Sequence, residues 1–337
     1  MSPGILLAVV VLCLVLAYVN GFHDASNAVS TAIATRSLSE STALALAAVL
    51  NLLGAALMIL MLSLTAGWAL DLLGLAHMAE ATAARPDLLG LAVLAMILAT
   101  LGWEVLTWWF GMPSSTWHAF YGSVAGAYLG LGMAASMGRV ASLVLVPILL
   151  GPVLAAALSY LVMRGLLALA RTERVRGSHI HVAQTISAGA LATGHGMSDV
   201  RLPMALVVLA SASAGQSATM PLMLGVPIAL ALAAGTLMGG HRIIRTIGRR
   251  MTDLSSVQGL AAESSAVIVI AALAFGVTAP VSTSHALASG VVGAGLARGP
   301  RHVKWPVVER ILLTWLMTPV ATGATAALGV LVATRLV

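Results

Sequence analysis

Charge is what this 337-residue chain has least of. Asp, Glu, Lys and Arg together make up 8% of it, against about 25% in a soluble domain, and that excludes an ordinary water-facing surface. Aromatic residues are scarce at 4%. There is one cysteine, Cys13, which can form no internal disulfide. It lies inside the apolar run ILLAVVVLCLVLAYV and reads as packing. Missing too are the signatures of common hydrolases: no G-x-S-x-G elbow and no H-E-x-x-H pair occurs. The N-terminal run lacks a basic leading region and a small-residue cleavage site, so it reads as a membrane span and not a signal peptide.

What is present is apolar. Hydrophobic residues form 60% of the chain and the mean hydropathy is +1.01. Ten apolar segments follow one another, at 5–35, 43–66, 88–110, 113–133, 140–163, 181–215, 220–240, 256–276, 280–297 and 306–334. Most approach the ~20 residues that cross a bilayer core as a helix. The fold class is therefore all-α and polytopic. Abundant Gly and Ala predict close helix packing. The segments at 113 and 280 begin at or beside a proline, are Gly-rich, and suit re-entrant hairpins or a hairpin plus helix.

The few charges are unevenly placed. If each segment crosses once, with both termini outside, most of the 17 Lys and Arg residues fall inside. The inside clusters are Arg164–Arg176, Arg242–Arg250 and Arg298–Arg310. This positive-inside bias predicts a multi-pass protein of the cytoplasmic membrane with cytoplasmic basic loops. The net charge of +6 is then met by anionic lipid and calls for no nucleic acid.

Two patterns occur twice. PSSTWHA at 113–119 returns as PVSTSHA at 280–286, with five of seven positions identical. GFHD at 21–24 matches GMSD at 196–199 more loosely. Five crossings per half is an odd number, so the second half enters from the opposite side. Residues 1–163 and 181–337 read as inverted repeats joined by a basic linker at 164–180, the architecture of a transporter whose site lies between the halves.

Each motif carries a definite chemistry. A proline and hydroxyl residues suit a helix start, and helix starts bind anions through free N–H groups. Two such starts, with Ser114, Ser115, Thr116, Ser282, Thr283 and Ser284, suit one small tetrahedral oxyanion. NGFHDASNA at 20–28 places polar residues where a span should be half complete. It predicts a helix broken inside the membrane, relaxed at Gly21. Carboxylates at Asp24 and Asp199 conflict with an anionic cargo, since unit charges at 4 Å repel by about 4 kcal/mol at an effective dielectric near 20. Bound cations or protons remove that penalty, so the acids predict coupled transport. Glu263 is a further acid of this kind and Glu104 a weaker one, either of which could pair with Arg201. His23 can carry a proton near neutral pH. His118 and His285 end the two hydroxyl motifs, and either can bond a carbonyl instead.

NGFHDASNAVSTAIATRSLS, LAAVLNLLGA, WWFGMPSSTWHA, GLAAESSA and APVSTSHALASGVVGAG resemble the PiT family of inorganic phosphate transporters, in order over nearly the whole chain. The GFHD form is similar to the bacterial proton-coupled branch. The resemblance implies phosphate as cargo, symport with protons (or with sodium), a divalent metal carried with phosphate as a neutral complex, and a homodimer. It assigns phosphate to Asp24, Ser115, Thr116, Asp199, Ser282 and Thr283, beside Ser114 and Ser284. It gives the coupling proton or cation to Asp24, Asn27, Asp199 and Glu263, to which the chemistry of the residues beside the two acids adds His23 and Ser198. No resident cofactor and no enzymatic role are implied. The chain departs from the family at Ser198, Arg201 and Leu202, at Trp117, where a small hydroxyl residue is usual, and at Glu104, where an amide is commoner. The departures make Arg201 and Glu104 candidate modulators, and His118 and His285, which end the hydroxyl motifs, are two more. They also leave sulfate or another oxyanion as the alternative cargo.

Overall fold

A computed structural model describes the backbone of residues 1–63, 73–133, 138–170, 177–216, 220–276 and 282–335, and their side chains except at 25–27, 63, 139–148, 220–222 and 273–276. Asn27 and Pro280, both singled out in the sequence, lie outside the described side chains.

Within these bounds the chain is helical and forms no strand. The first half contains α1 (Pro3–Ala34), α2 (Glu40–Ser63), a short α3 (Ala76–Ala81), α4 (Pro86–Phe110), α5 (Thr116–Gly130) and α6 (Gly138–Ala170). The second contains α7 (Gly177–Asp199), α8 (Arg201–Ser213), α9 (Met220–Met238), α10 (His241–Arg245), α11 (Ser256–Gly276), α12 (Thr283–Arg298) and α13 (Trp305–Ala333). Among the described residues, five helices are long and apolar enough to cross a membrane: α1, α2, α4, the stretch Leu149–Ala170 of α6, and α13. A sixth is gained if Met223–Met238 and His241–Arg250, bent by 50°, count as one span. The two proline-led segments become α5, 15 residues, and α12, 16 residues. At 1.5 Å per residue each is about 22–24 Å long, short of a bilayer core. Leu7, Trp109, Val153, Leu161, Leu316 and Val332 are exposed; large apolar side chains facing outward suit lipid, not water.

The expected break in the first half is absent. α1 runs without interruption from Pro3 to Ala34 and carries NGFHD within it. The polar side chains find partners on other helices, so the backbone has no reason to unwind. Gly21 serves contact instead of relaxation: a Cβ there would stand 2.2 Å from the carbonyl oxygen of Leu232 on α9. In the second half the interruption is a single residue: α7 ends at Asp199 and α8 begins at Arg201, with Val200 between them still in helical dihedrals.

The helix contacts are symmetric under exchange of the halves. α5 packs on α13 and its equivalent α12 on α6; α1 packs on α9 and its equivalent α7 on α2. The closest approaches repeat the exchange. A Cβ on Gly126 would lie 1.9 Å from Gly323 O, and one on Gly293 would lie 2.1 Å from Ala156 O. Gly196 meets Asn51 O at 2.1 Å as Gly21 meets Leu232 O, and Gly235 meets Tyr18 O at 2.0 Å as Gly54 meets Thr193 O at 2.1 Å. Where α1 crosses α7, Asn20 reaches Asp199 while Asp24 approaches His195. Equivalent helices therefore cross antiparallel, as inverted repeats require.

The basic segments gather together. Thr252 bridges Val303, Lys304 Nζ lies 2.7 Å from Asp253 Oδ1, and Arg298 donates to Gln258. His241 pairs with Glu40 at 2.6 Å beside Arg245 and Arg249. Lys304 holds the exposed Asp253 carboxyl below its ordinary range, first by hydrogen bonding and then by charge.

Candidate functional site

The site is built where α1 and α7 cross, with the starts of α5 and α12 against them. Ser115 and Ser282 are the N-caps of those two helices: each side chain accepts the N–H of the histidine three residues on, at 3.4 Å for His118 and 3.2 Å for His285. Capping uses the hydroxyl oxygen as acceptor and leaves its proton to donate.

Asp24 is buried and receives hydroxyls from both motif copies. Thr116 of α5 donates to Oδ2 at 3.4 Å, and Ser284 of α12 donates to Oδ1 at 3.0 Å. His23 Nδ1 lies 2.9 Å from Oδ1 of the same carboxylate. The other nitrogen of His23 is 3.0 Å from Thr107 Oγ1, which is 2.9 Å from Ser114 Oγ. Asp199, also buried, accepts from Asn20 Nδ2 at 3.0 Å and lies 3.0 Å from His195 Nδ1. One ligand atom each from Asp24, His195 and Asp199 fall within 4.8 Å of one another, close enough to share an ion.

Several predicted residues join this centre and others do not. Ser114, Thr116, Ser284, Asp24 and Asp199 are in it, and Ser198 contacts both Asp199 and Arg201. Thr283 and Ser282 are buried at the start of α12. Glu104 is fully buried, with His23, Asp24, Asp199 and Thr116 as its electrostatic neighbours. Glu263 keeps other company: Thr31 donates to Oε1, Ser187 donates to Oε2 at 2.5 Å, and Gln184 is beside it. Thr31 is two helical turns beyond Asp24, about 10 Å along α1. Neither glutamate pairs with Arg201, which is the structural alternative to a coupling role for each. The Arg201 guanidinium donates to Ser198 O at 3.2 Å and to Ser198 Oγ at 3.4 Å, and lies 5.7 Å from the Trp117 ring centroid. His118 and His285 meet each other, stacked with centroids 4.7 Å apart and planes within 7°. Trp315 of α13 stacks on His285 at 3.9 Å and donates to Pro113 O.

Sequence reasoning missed Thr107, and it gave His195 no firm role. Thr107 reaches His23 across 84 positions, and no local pattern announces such a contact. His195 precedes Asp199 by one helical turn, a spacing at which helix side chains meet, and that signal was available.

What this arrangement can do is hold a small anion between two helix starts, beside acids that need neutralising. The comparisons agree with it. The model of the phosphate transporter family (PHO4) matches twice, at residues 20–179 and 167–326. A protein of Mycobacterium leprae named "Probable low-affinity inorganic phosphate transporter" is 34% identical over 337 residues, covering 96% of this chain and 77% of that one. A Bacillus subtilis protein of the same name is 28% identical and covers 93% of both. A solved structure titled "The sodium-dependent phosphate transporter" superposes with a TM-score of 0.76 over 99% of this chain at 20% identity, a likeness of fold. Two family matches that together span nearly the whole chain, on a helical fold with paired motifs, place this multi-pass membrane protein in the phosphate transporter family.

Proposed function

We propose that this protein carries inorganic phosphate across the cytoplasmic membrane by symport with protons, and that Asp24 sets the order of loading. The observation that carries the reading is the shared carboxylate: Thr116 from one repeat and Ser284 from the other both donate to Asp24. Donors that hold a carboxylate can hold a phosphate oxygen, since both are oxyanions. While Asp24 is charged it occupies these donors and repels the cargo. A proton or cation arriving at Asp24 removes the repulsion and frees both hydroxyls for the anion. The imidazoles of His23 and His195, each about 3 Å from one acid, are placed to pass that proton. Phosphate then rests on the starts of α5 and α12, where free N–H groups and hydroxyls converge. Basic loops toward the cytoplasm and termini outside follow from the positive-inside bias. The family resemblance adds a homodimer and no enzymatic step.

A second reading makes the coupling ion a metal cation. It is favoured by the three ligand atoms of Asp24, His195 and Asp199 within 4.8 Å. Such an ion would be cargo, sodium alone or a divalent ion travelling with phosphate.

Labelled-phosphate uptake into proteoliposomes separates these. Uptake driven by a pH gradient, indifferent to Mg²⁺ and to sulfate, supports the first reading. Uptake that needs a sodium gradient, or Mg²⁺, selects the second. Sulfate transport without phosphate uptake rejects phosphate as cargo.

A further inference from the structure

We propose that Arg201 is a tethered cation that stands in for a mobile one beside Asp199, so that the second half of the site binds one coupling cation fewer than its acid alone would need. The inference rests on the transport reading for its meaning, and on geometry for its support. By the alignment that pairs Gly21 with Gly196 and Asp24 with Asp199, Arg201 occupies the place of Ser26. The two acids are thus equivalent in position and unlike in company. Asp24 has a histidine immediately before it, at 2.9 Å. Asp199 has Ser198 in that place and an arginine two residues on.

The guanidinium is fixed, not loose. It takes the carbonyl of Ser198 at the end of α7, one of the acceptors that a helix terminus leaves free. Its second contact is the Ser198 hydroxyl, and its central carbon stands over the Trp117 ring of α5, 5.7 Å from the centroid. Trp117 in turn packs on Tyr121, ring centroids 5.7 Å apart. The acid whose charge acts on Arg201 is Asp199. Around Asp199 itself stand His195 and Ser198 from its own helix and Asn20 from α1. Among the described residues Arg201 forms no ion pair within 4 Å of a carboxylate, so its charge acts on Asp199 as a near neighbour and leaves Oδ2 to Asn20 and His195.

Arginine stays protonated under all conditions a cell meets, whereas imidazole gains and loses its proton near neutrality. Each acid thus has an imidazole about 3 Å away, and Asp199 alone has in addition a permanent positive charge two residues on. Tryptophan at 117 supplies the aromatic face over which the guanidinium stands. The pair Trp117–Arg201 thus ties the start of the first anion motif to the second acid.

The test counts cation responses without using phosphate. Purified protein in detergent is titrated with NaCl or MgCl₂, with choline chloride as the ionic-strength control, and its thermal unfolding is followed. The wild type is expected to show one saturable stabilisation, Arg201→Gln a second one, and Arg201→Lys the wild-type response. An Arg201→Gln response identical to wild type would overturn the proposal and leave Arg201 as a helix cap. Arg201→Met, which keeps a long side chain without the charge, guards against a variant that does not fold: it too should show the second response, and a wild-type response from it would likewise overturn the proposal. Phosphate uptake by the same preparations is scored separately. Absent uptake with the predicted cation responses rejects phosphate as cargo while sustaining the role of Arg201.

Discussion

Asp24 collects hydroxyls from two segments that are 168 residues apart in sequence, Thr116 and Ser284. Hydrogen bonds to a charged group are worth about 1.5–3 kcal/mol. If the same hydroxyls hold phosphate, Thr116→Ala and Ser284→Ala should each weaken apparent phosphate affinity by about tenfold or more, read from uptake against concentration. Asp24→Asn should abolish driven uptake while the protein still elutes as a folded species, because an amide accepts no proton from the medium. Ser282→Ala removes a helix cap as well and should lower thermal stability by about 1 kcal/mol. The acids and hydroxyl motifs were legible in the sequence because each appears twice, and duplication in register has few structural explanations. Their partners were not. Thr31 lies 232 positions from Glu263, and only the folded chain shows that Glu263 keeps apart from the acids while Glu104 joins them.

At the scale of helices, the sequence showed where apolar segments begin and end but misjudged one of them. NGFHDASNA looked like a break because six polar or flexible residues interrupt an apolar run. The helix continues because those groups bond sideways, to Thr107, Ser284 and Asp199, and sideways partners leave no mark in a local window. The glycines tell the same story: their function is crossing, visible only with the opposing helix in place. Gly126→Ala and Gly293→Ala both drive a methyl into a backbone carbonyl. Each should cost about 1–3 kcal/mol or more, measured as a fall in unfolding temperature in detergent. Gly102→Ala, with nothing within 4 Å of the added carbon, should be neutral by the same measurement.

For the whole molecule, the charge asymmetry predicts sidedness. In a background lacking Cys13, a cysteine at Ser2 or Thr334 should react with an impermeant thiol reagent added outside intact cells, and one at Ser255 should not. The reverse pattern would invert the topology. The exchange of partners between halves has a mechanical consequence as well. Because α5 leans on α13, and α12 on α6, the seam between the two repeats runs through the tightest contacts in the protein. A transporter that alternates its exposure by swinging one repeat away from the other would have to tear those contacts open. The bodies that move must instead each be drawn from both repeats, with α5 travelling beside α13 and α12 beside α6. Any hinge then falls within a repeat, and the order of residues along the chain is no guide to which parts move together.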